Sequence, residues 1–173
     1  MKRGLSGVAT VLFTDIVDST GIAAELGDAR WRTLVERHHA VIRGNVKRFR
    51  GREMDTAGDG FFVAFDRPGD AIACAVASLG DVQVLGIDLR AGIHTGEVQS
   101  IDAKAGGITV AVGARIASLA HAAQVLITST TRDLSIGAAL DTVDRGEHEL
   151  KGIAAAQRVF AIVSSDEAPA HVA

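Results

Sequence analysis

The run Val8-Ala-Thr-Val-Leu-Phe-Thr14 is apolar and β-branched, the pattern of a buried strand. Asp15 ends the run, and the polar cluster Asp18-Ser19-Thr20 carries the residue types that start helices. Apolar positions then recur at helical spacing through Trp31, Leu34, Val35, His38, Val41, Ile42, Val46 and Phe49. Leu26-Gly27-Asp28 interrupts this helix near its start, and Asp28 is expected to cap it anew. The cationic run Lys47-Arg48-Phe49-Arg50 falls at its C-terminal end, where positive charge complements the helix dipole. Glu53 to Ala57 reads as a strand, Gly58-Asp59-Gly60 as a tight turn, and Phe61 to Phe65 as the return strand of a hairpin. Pro68 suits the first turn of a second helix whose body is Ala71 to Leu79. Beyond it the pattern predicts a strand from Ile87 to Thr95 that turns at Gly96, and a small-residue helix from Thr109 to Ala122. A strand from Gln124 to Thr128, a short helix from Thr130 to Leu134 and a last strand from Gln157 to Val163 follow.

This order, βαββαβ followed by a smaller α/β piece, has no internal repeat and no linker. It predicts an α+β fold with a ferredoxin-like βαββαβ core and a small C-terminal α/β extension. One domain over residues 1–163 is expected, with a polar tail from Ser164 to Ala173 that frays. A length of 173 residues suits a single core. Lys and Arg number 18 against 21 Asp and Glu, a net charge of -3, and a polyanion binder normally carries the opposite excess. Nucleic acid is therefore not an expected partner. The single cysteine, Cys74, excludes an intramolecular disulfide framework and fits a reducing compartment. No stretch approaches the roughly 18 apolar residues of a membrane span, and Val8 to Phe13 is too short for a signal core. A soluble, cytoplasmic protein without a membrane partner is expected.

Candidate chemistry sits where strands end. Asp15 closes the first strand and Asp59 occupies a glycine-flanked hairpin tip, so a hairpin beside that strand end would bring two carboxylates together. Converging carboxylates are hard-oxygen ligands suited to Mg²⁺ or Mn²⁺. Gly58 and Gly60 either let backbone approach a ligand or only supply the dihedrals of the turn. The segment between Asp15 and Thr20, a carboxylate followed by a polar helix N-terminus, has the donors of a triphosphate cradle beside a metal. His38 and His39 lie in the long helix without a zinc-spacing partner and are expected to serve the helix face.

Five segments, Phe13-Thr-Asp-Ile-Val-Asp-Ser-Thr20, Ala57-Gly-Asp-Gly-Phe61, Gly92-Ile-His-Thr-Gly96, Val112-Gly-Ala-Arg115 and Arg145-Gly-Glu-His-Glu-Leu-Lys-Gly152, together resemble the class III nucleotidyl cyclases. The resemblance covers residues 8 to 163, in that family's order and spacing. It implies a head-to-tail homodimer with active sites at the interface, converting a nucleoside triphosphate into a 3′,5′-cyclic monophosphate and pyrophosphate. It also implies two Mg²⁺ or Mn²⁺ ions per active site, held by Asp15, Asp59 and the Ile16 carbonyl. Backbone N–H groups of Val17, Asp18 and Ser19 would receive the β- and γ-phosphates. From the partner chain, Arg115 would stabilise charge developing on the α-phosphate and Lys151 would pair with the triphosphate. A solvated helix arginine and a surface lysine are the plain alternatives for these two.

Three positions depart from the family pattern. Asp55 stands where adenylate cyclases usually carry a base-reading lysine, Lys104 where they carry the complementary aspartate, and Ala111 where a ribose-orienting asparagine is usual. An acid at position 55 with a lysine at 104 suits the N1-H, N2-H and O6 edge of guanine. The same pair with roles reversed could read the N6 donor and N1 acceptor of adenine, and a stand-alone domain of this type suits ATP. An Asp55–Lys104 salt bridge without any base reading is a third possibility. Ala111 cannot hydrogen bond through its side chain, and losing one positioning donor costs on the order of 10²–10³ in turnover. The expectation is a cyclase making cyclic AMP. The alternatives are a guanylate cyclase and a weak or inactive pseudocyclase acting as a nucleotide-binding dimerisation module.

Overall fold

The computed structural model describes residues 7–101, 104–135 and 140–163. Its elements, in chain order, are β1 Gly7–Ile16, α1 Ser19–Leu26, α2 Asp28–Arg48, β2 Arg52–Ala57, β3 Gly60–Phe65 and α3 Pro68–Asp81, which runs into a 3₁₀ turn at Val82–Leu85. There follow β4 Leu89–Ile101, β5 Lys104–Gly106, α4 Ile108–Leu119, β6 Val125–Thr128, α5 Ser129–Leu134, β7 Thr142–His148 and β8 Gln157–Ile162. The main sheet runs β2-β3-β1-β4-β6-β8-β7, and β5 pairs onto the far end of β4. Its first four strands are antiparallel throughout, the order a ferredoxin-like βαββαβ core requires, and β6 joins β4 in parallel. The α+β architecture expected from the sequence is therefore the one observed.

Strand alternation divides the side chains between two layers. Leu12 and Ile16 of β1, Phe61, Val63 and Phe65 of β3, and Leu89 and Ile93 of β4 all enter the core beneath α2 and α3. Helix α3 supplies Ala71, Ile72, Cys74, Ala75 and Leu79 to that core, an apolar stripe at helical period, with Pro68 in its first turn. Each large side chain so buried stabilises the fold by about 1.5–3 kcal/mol. Cys74 belongs to this layer, and burial pushes its thiol up to about 11, so it is a packing residue and not a nucleophile.

Helix α4 covers the opposite face, over Val11 and Phe13. It lies unusually close, because a Cβ at Gly92 would strike the backbone of Ala117, and a Cβ at Gly113 would sit 2.7 Å from Val11 Cγ2. Phe13 and Phe62 stack beside this helix with centroids 4.6 Å apart.

Several boundaries differ from the sequence reading. Strand β1 continues through Asp15 to Ile16, since β4 pairs with it along its whole length. Strand β4 does not turn at Gly96 but runs on to Ile101; a Cβ at Gly96 would lie 2.5 Å from Thr109 Oγ1, so that glycine admits α4 and does not end the strand. Gly27, not Asp28, occupies the cap position of α2, and Asp28 is its first helical residue. Helix α4 stops at Leu119, before the expected Ala122. Strands β5 and β7 carry no alternating signal: β7 reads Thr-Val-Asp-Arg-Gly-Glu-His and lies mostly exposed at the sheet edge. The tail from Ser164 lies outside the described residues. No helix among the described residues is long and apolar enough to cross a membrane.

Candidate active site

The end of β1 carries Asp15 to the α4 side of the sheet, in register with Arg90 on β4. Arg90 Nε donates to Asp15 Oδ1 at 2.7 Å and Nη2 to Oδ2 at 3.2 Å, a bidentate pair. A third donor of the same guanidinium, Nη1, reaches the Ser118 carbonyl of α4 at 3.3 Å. The hydrogen bonds to Asp15 raise the Arg90 pKa above its usual value, which fixes a cation at this point.

Asp59 arrives from the turn between β2 and β3. Its Oδ2 accepts the Ile16 N–H at 2.7 Å, tying the hairpin tip to the last residue of β1. Gly58 permits the turn, with φ +60, a conformation glycine adopts without steric cost. Behind the turn stand His38 and His39 of α2, whose Nε2 atoms lie 3.0 Å from the Asp59 carbonyl and 2.9 Å from the Gly58 carbonyl. Burial lowers the His38 pKa, so the ring stays neutral around pH 7.

Asp15, Asp59, Arg90, Ser19 and Thr20 line one cavity of about 340 Å³. The first turn of α1 opens onto it, and the leading N–H groups of a helix have no partner within the helix. Asp18 precedes that turn in the left-handed region, φ 55, without a side-chain capping bond. Val17 departs from expectation. Its N–H donates to the Asp88 carbonyl at 2.9 Å, which removes it from the free donors expected to face a triphosphate.

A second cleft of about 500 Å³ shares Asp15, Ala57 and Gly60 with the first. Its walls are Phe13, Phe62, Val110 and Ala114, with the exposed Asp55 on its rim. Asp55 Oδ1 accepts the N–H of its neighbour Thr56 at 2.9 Å. The Lys104 side chain lies outside the described residues, so the expected Asp55–Lys104 relation does too. Next to Asp55, the Arg43 pair holds the Glu53 carboxyl at about 2, which pins β2 to α2.

Arg115 and Lys151 line neither cavity. Arg115 is exposed on α4, one turn from the equally exposed Ala111 and on the same side of the helix. Lys151 is exposed in the turn between β7 and β8. One chain thus assembles Asp15, Ile16, Asp59 and the α1 N-terminus, and leaves Arg115 and Lys151 facing outward. Arg90 escaped the sequence reading because Leu-Arg-Ala in a buried strand looks like an isolated charge. Its lone position between apolar neighbours was the available signal.

Among the described residues no group of three or more His, Cys, Asp or Glu could hold a metal by itself. The site instead offers two carboxylates on one cavity. This fits Mg²⁺ or Mn²⁺, which are commonly bound through one or two carboxylates together with substrate phosphates and water.

The sequence profile of the adenylate and guanylate cyclase catalytic domain matches residues 2–164, and the chain belongs to that family. It is 33% identical over 169 residues to the uncharacterized protein Rv0891c of Mycobacterium tuberculosis, covering 93% of this chain and 58% of that protein. The chain thus spans little more than half the length of this curated relative. The fold is that of the adenylyl cyclase CyaB from P. aeruginosa (TM-score 0.82, 21% identity, 94% of this chain and 97% of that one). It is also that of the guanylate cyclase domain of RhGC from Catenaria anguillulae, solved in complex with GTP (TM-score 0.81, 19% identity, 91% and 96%).

Proposed function

We propose that this chain is one half of a homodimeric purine nucleotidyl cyclase that converts ATP, or alternatively GTP, into the 3′,5′-cyclic monophosphate and pyrophosphate. The observation that carries the reading is the meeting of Asp15 and Asp59 on one cavity, fixed by the Ile16 N–H bond to Asp59. In the reaction the ribose 3′-oxygen bonds to the α-phosphorus, the bond to the pyrophosphate oxygen breaks, and the hydroxyl proton is released. Mg²⁺ or Mn²⁺ held by Asp15, Asp59 and the Ile16 carbonyl would supply activation of that hydroxyl and neutralise charge on the leaving group.

The chain's own residues do the rest. N–H groups of Asp18, Ser19 and Thr20 at the start of α1 receive the terminal phosphates, where the helix dipole favours negative charge. Arg90 exchanges its Asp15 partner for a phosphate oxygen. The Phe13- and Phe62-walled cleft takes the nucleoside, with Asp55 at the base edge. Arg115 and Lys151 complete the site of the partner chain, which is supported by their exposure away from both cavities of their own chain.

Incubating the purified chain with ATP and GTP and either Mg²⁺ or Mn²⁺, with mass spectrometry of the products, tests this. Metal-dependent cyclic nucleotide that disappears in Asp59→Ala is expected. A second reading, a regulatory module that binds nucleotide without turnover, is favoured by Ala111, which offers no side-chain donor. No cyclic product from either nucleotide, with a folded dimer that still binds nucleotide, would favour that reading over the first.

A further inference from the structure

The histidine pair behind the Gly58-Asp59-Gly60 turn takes no part in the proposed reaction. His38 is fully buried in α2, yet its Nδ1 is buried without a hydrogen-bond partner among the described residues. A leucine or phenylalanine would fill such a position without that penalty. What the imidazole adds is its Nε2, and that atom faces the Asp59 carbonyl at 3.0 Å. His39, the next residue, places its Nε2 2.9 Å from the Gly58 carbonyl. A carbonyl oxygen only accepts, so both rings present Nε2–H to the turn and carry their acceptor nitrogen at Nδ1. Phe61, 2% exposed, packs T-shaped against both rings, with centroids 5.8 Å and 5.2 Å away.

Residue 59 is consequently held from two directions. Its carbonyl is gripped by α2, a helix of 21 residues, and its carboxylate by the Ile16 N–H of β1. The turn between them is Gly58-Asp59-Gly60, which has little stiffness of its own because two of its three residues are glycine. We propose that His38 and His39 are positioning residues for the metal site: by donating to two successive turn carbonyls, they set where the Asp59 carboxylate stands relative to Asp15. The inference rests on the reading that Asp59 holds a divalent cation. Partners that orient a ligand without touching the metal typically change affinity by about 10–100-fold when removed.

The test measures Mn²⁺ binding to the full chain by the electron paramagnetic resonance of free Mn²⁺, alone and with the α,β-methylene analogues of ATP and GTP. The variants are His38→Leu, His39→Leu, His38→Gln, His39→Gln and Asp59→Ala. His39 is only half-buried, so His39→Leu keeps the experiment decisive should His38→Leu fail to fold. A glutamine places an amide N–H near the position of Nε2–H. Weakening by about tenfold in His39→Leu, with His39→Gln and His38→Gln within about threefold of wild type, is the expected result. A folded His39→Leu that binds Mn²⁺ like wild type overturns the proposal, as does a glutamine variant no better than its leucine counterpart. If wild type binds Mn²⁺ and Asp59→Ala does not, an unchanged His39→Leu condemns this inference alone. If Asp59→Ala binds Mn²⁺ like wild type, the metal role of Asp59 falls and the inference with it.

Discussion

Replacing Arg90 by glutamine separates what this residue does for the fold from what it does for the site. The guanidinium and the Asp15 carboxylate meet at 2.7 and 3.2 Å, and their side chains are 33% and 38% exposed. At about 3 Å the attraction is about 1.4 kcal/mol in water and about 5.5 kcal/mol at an effective dielectric of 20. Solvent screening and the ordering of both side chains reduce the net contribution of such a pair to folding to about 1 kcal/mol or less. Arg90→Gln is therefore expected to shift the unfolding free energy by no more than about 1 kcal/mol, a Tm change of roughly 2–4 °C. Its effect on the site should be larger and of two signs. Without nucleotide, a divalent cation approaching Asp15 no longer competes with a fixed positive charge, so Mn²⁺ should bind at least about fivefold more tightly, the equivalent of about 1 kcal/mol. With nucleotide, the phosphates lose a cation in the cavity, and cyclisation should fall by about 10²-fold. Urea unfolding, Mn²⁺ titration and product formation read the three effects. Weaker Mn²⁺ binding in the variant, or a loss of stability well beyond about 2 kcal/mol, would instead make Arg90 a support for the carboxylate or a structural strut.

His94, 9% exposed and 2.7 Å from Thr128 Oγ1, is pushed down to about 4 by burial. As pH falls, the unfolded chain takes up this proton first, near 6.5, so the stability it contributes is complete above that value and is lost between about 6.5 and 4. The loss amounts to about 2 kcal/mol at pH 5 relative to pH 8, and His94→Asn should flatten that part of the curve; parallel pH–stability curves for the two proteins would exclude it. Gly92→Ala drives a methyl into the backbone of α4, whereas Gly113→Ala meets the side chains of Val11 and Phe13, which can tilt. Chemical denaturation should find the first variant less stable by about 3 kcal/mol and the second by about half as much; equal costs would show that α4 is not seated on Gly92. Asp55→Lys should change the ratio of kcat/KM for ATP and GTP by about tenfold or more and leave Mn²⁺ binding untouched, if the acid reads the base. An unchanged ratio would assign Asp55 to the solvated rim.

Local pattern sufficed for the parts of the protein whose residues are contiguous in the chain. An apolar β-branched run made β1, two glycines around Asp59 made the hairpin tip, and Pro68 with a helical apolar stripe made α3. Five short segments in order disclosed the family. Periodicity reports which face of an element is apolar, so the two layers and the core were legible. What lies across from a given residue is set by strand register and helix placement, and local pattern does not encode it. Long-range packing paired Asp15 with Arg90, 75 positions away, and brought His38 and His39 under the carbonyls of Asp59 and Gly58. The same register gave the Val17 N–H to Asp88 and carried β4 past a glycine that the sequence offers as a turn. Gly96 looks like punctuation in one dimension. In three it is the gap through which Thr109 reaches the sheet, because a close approach between helix and strand needs a missing Cβ and leaves no other trace in the chain.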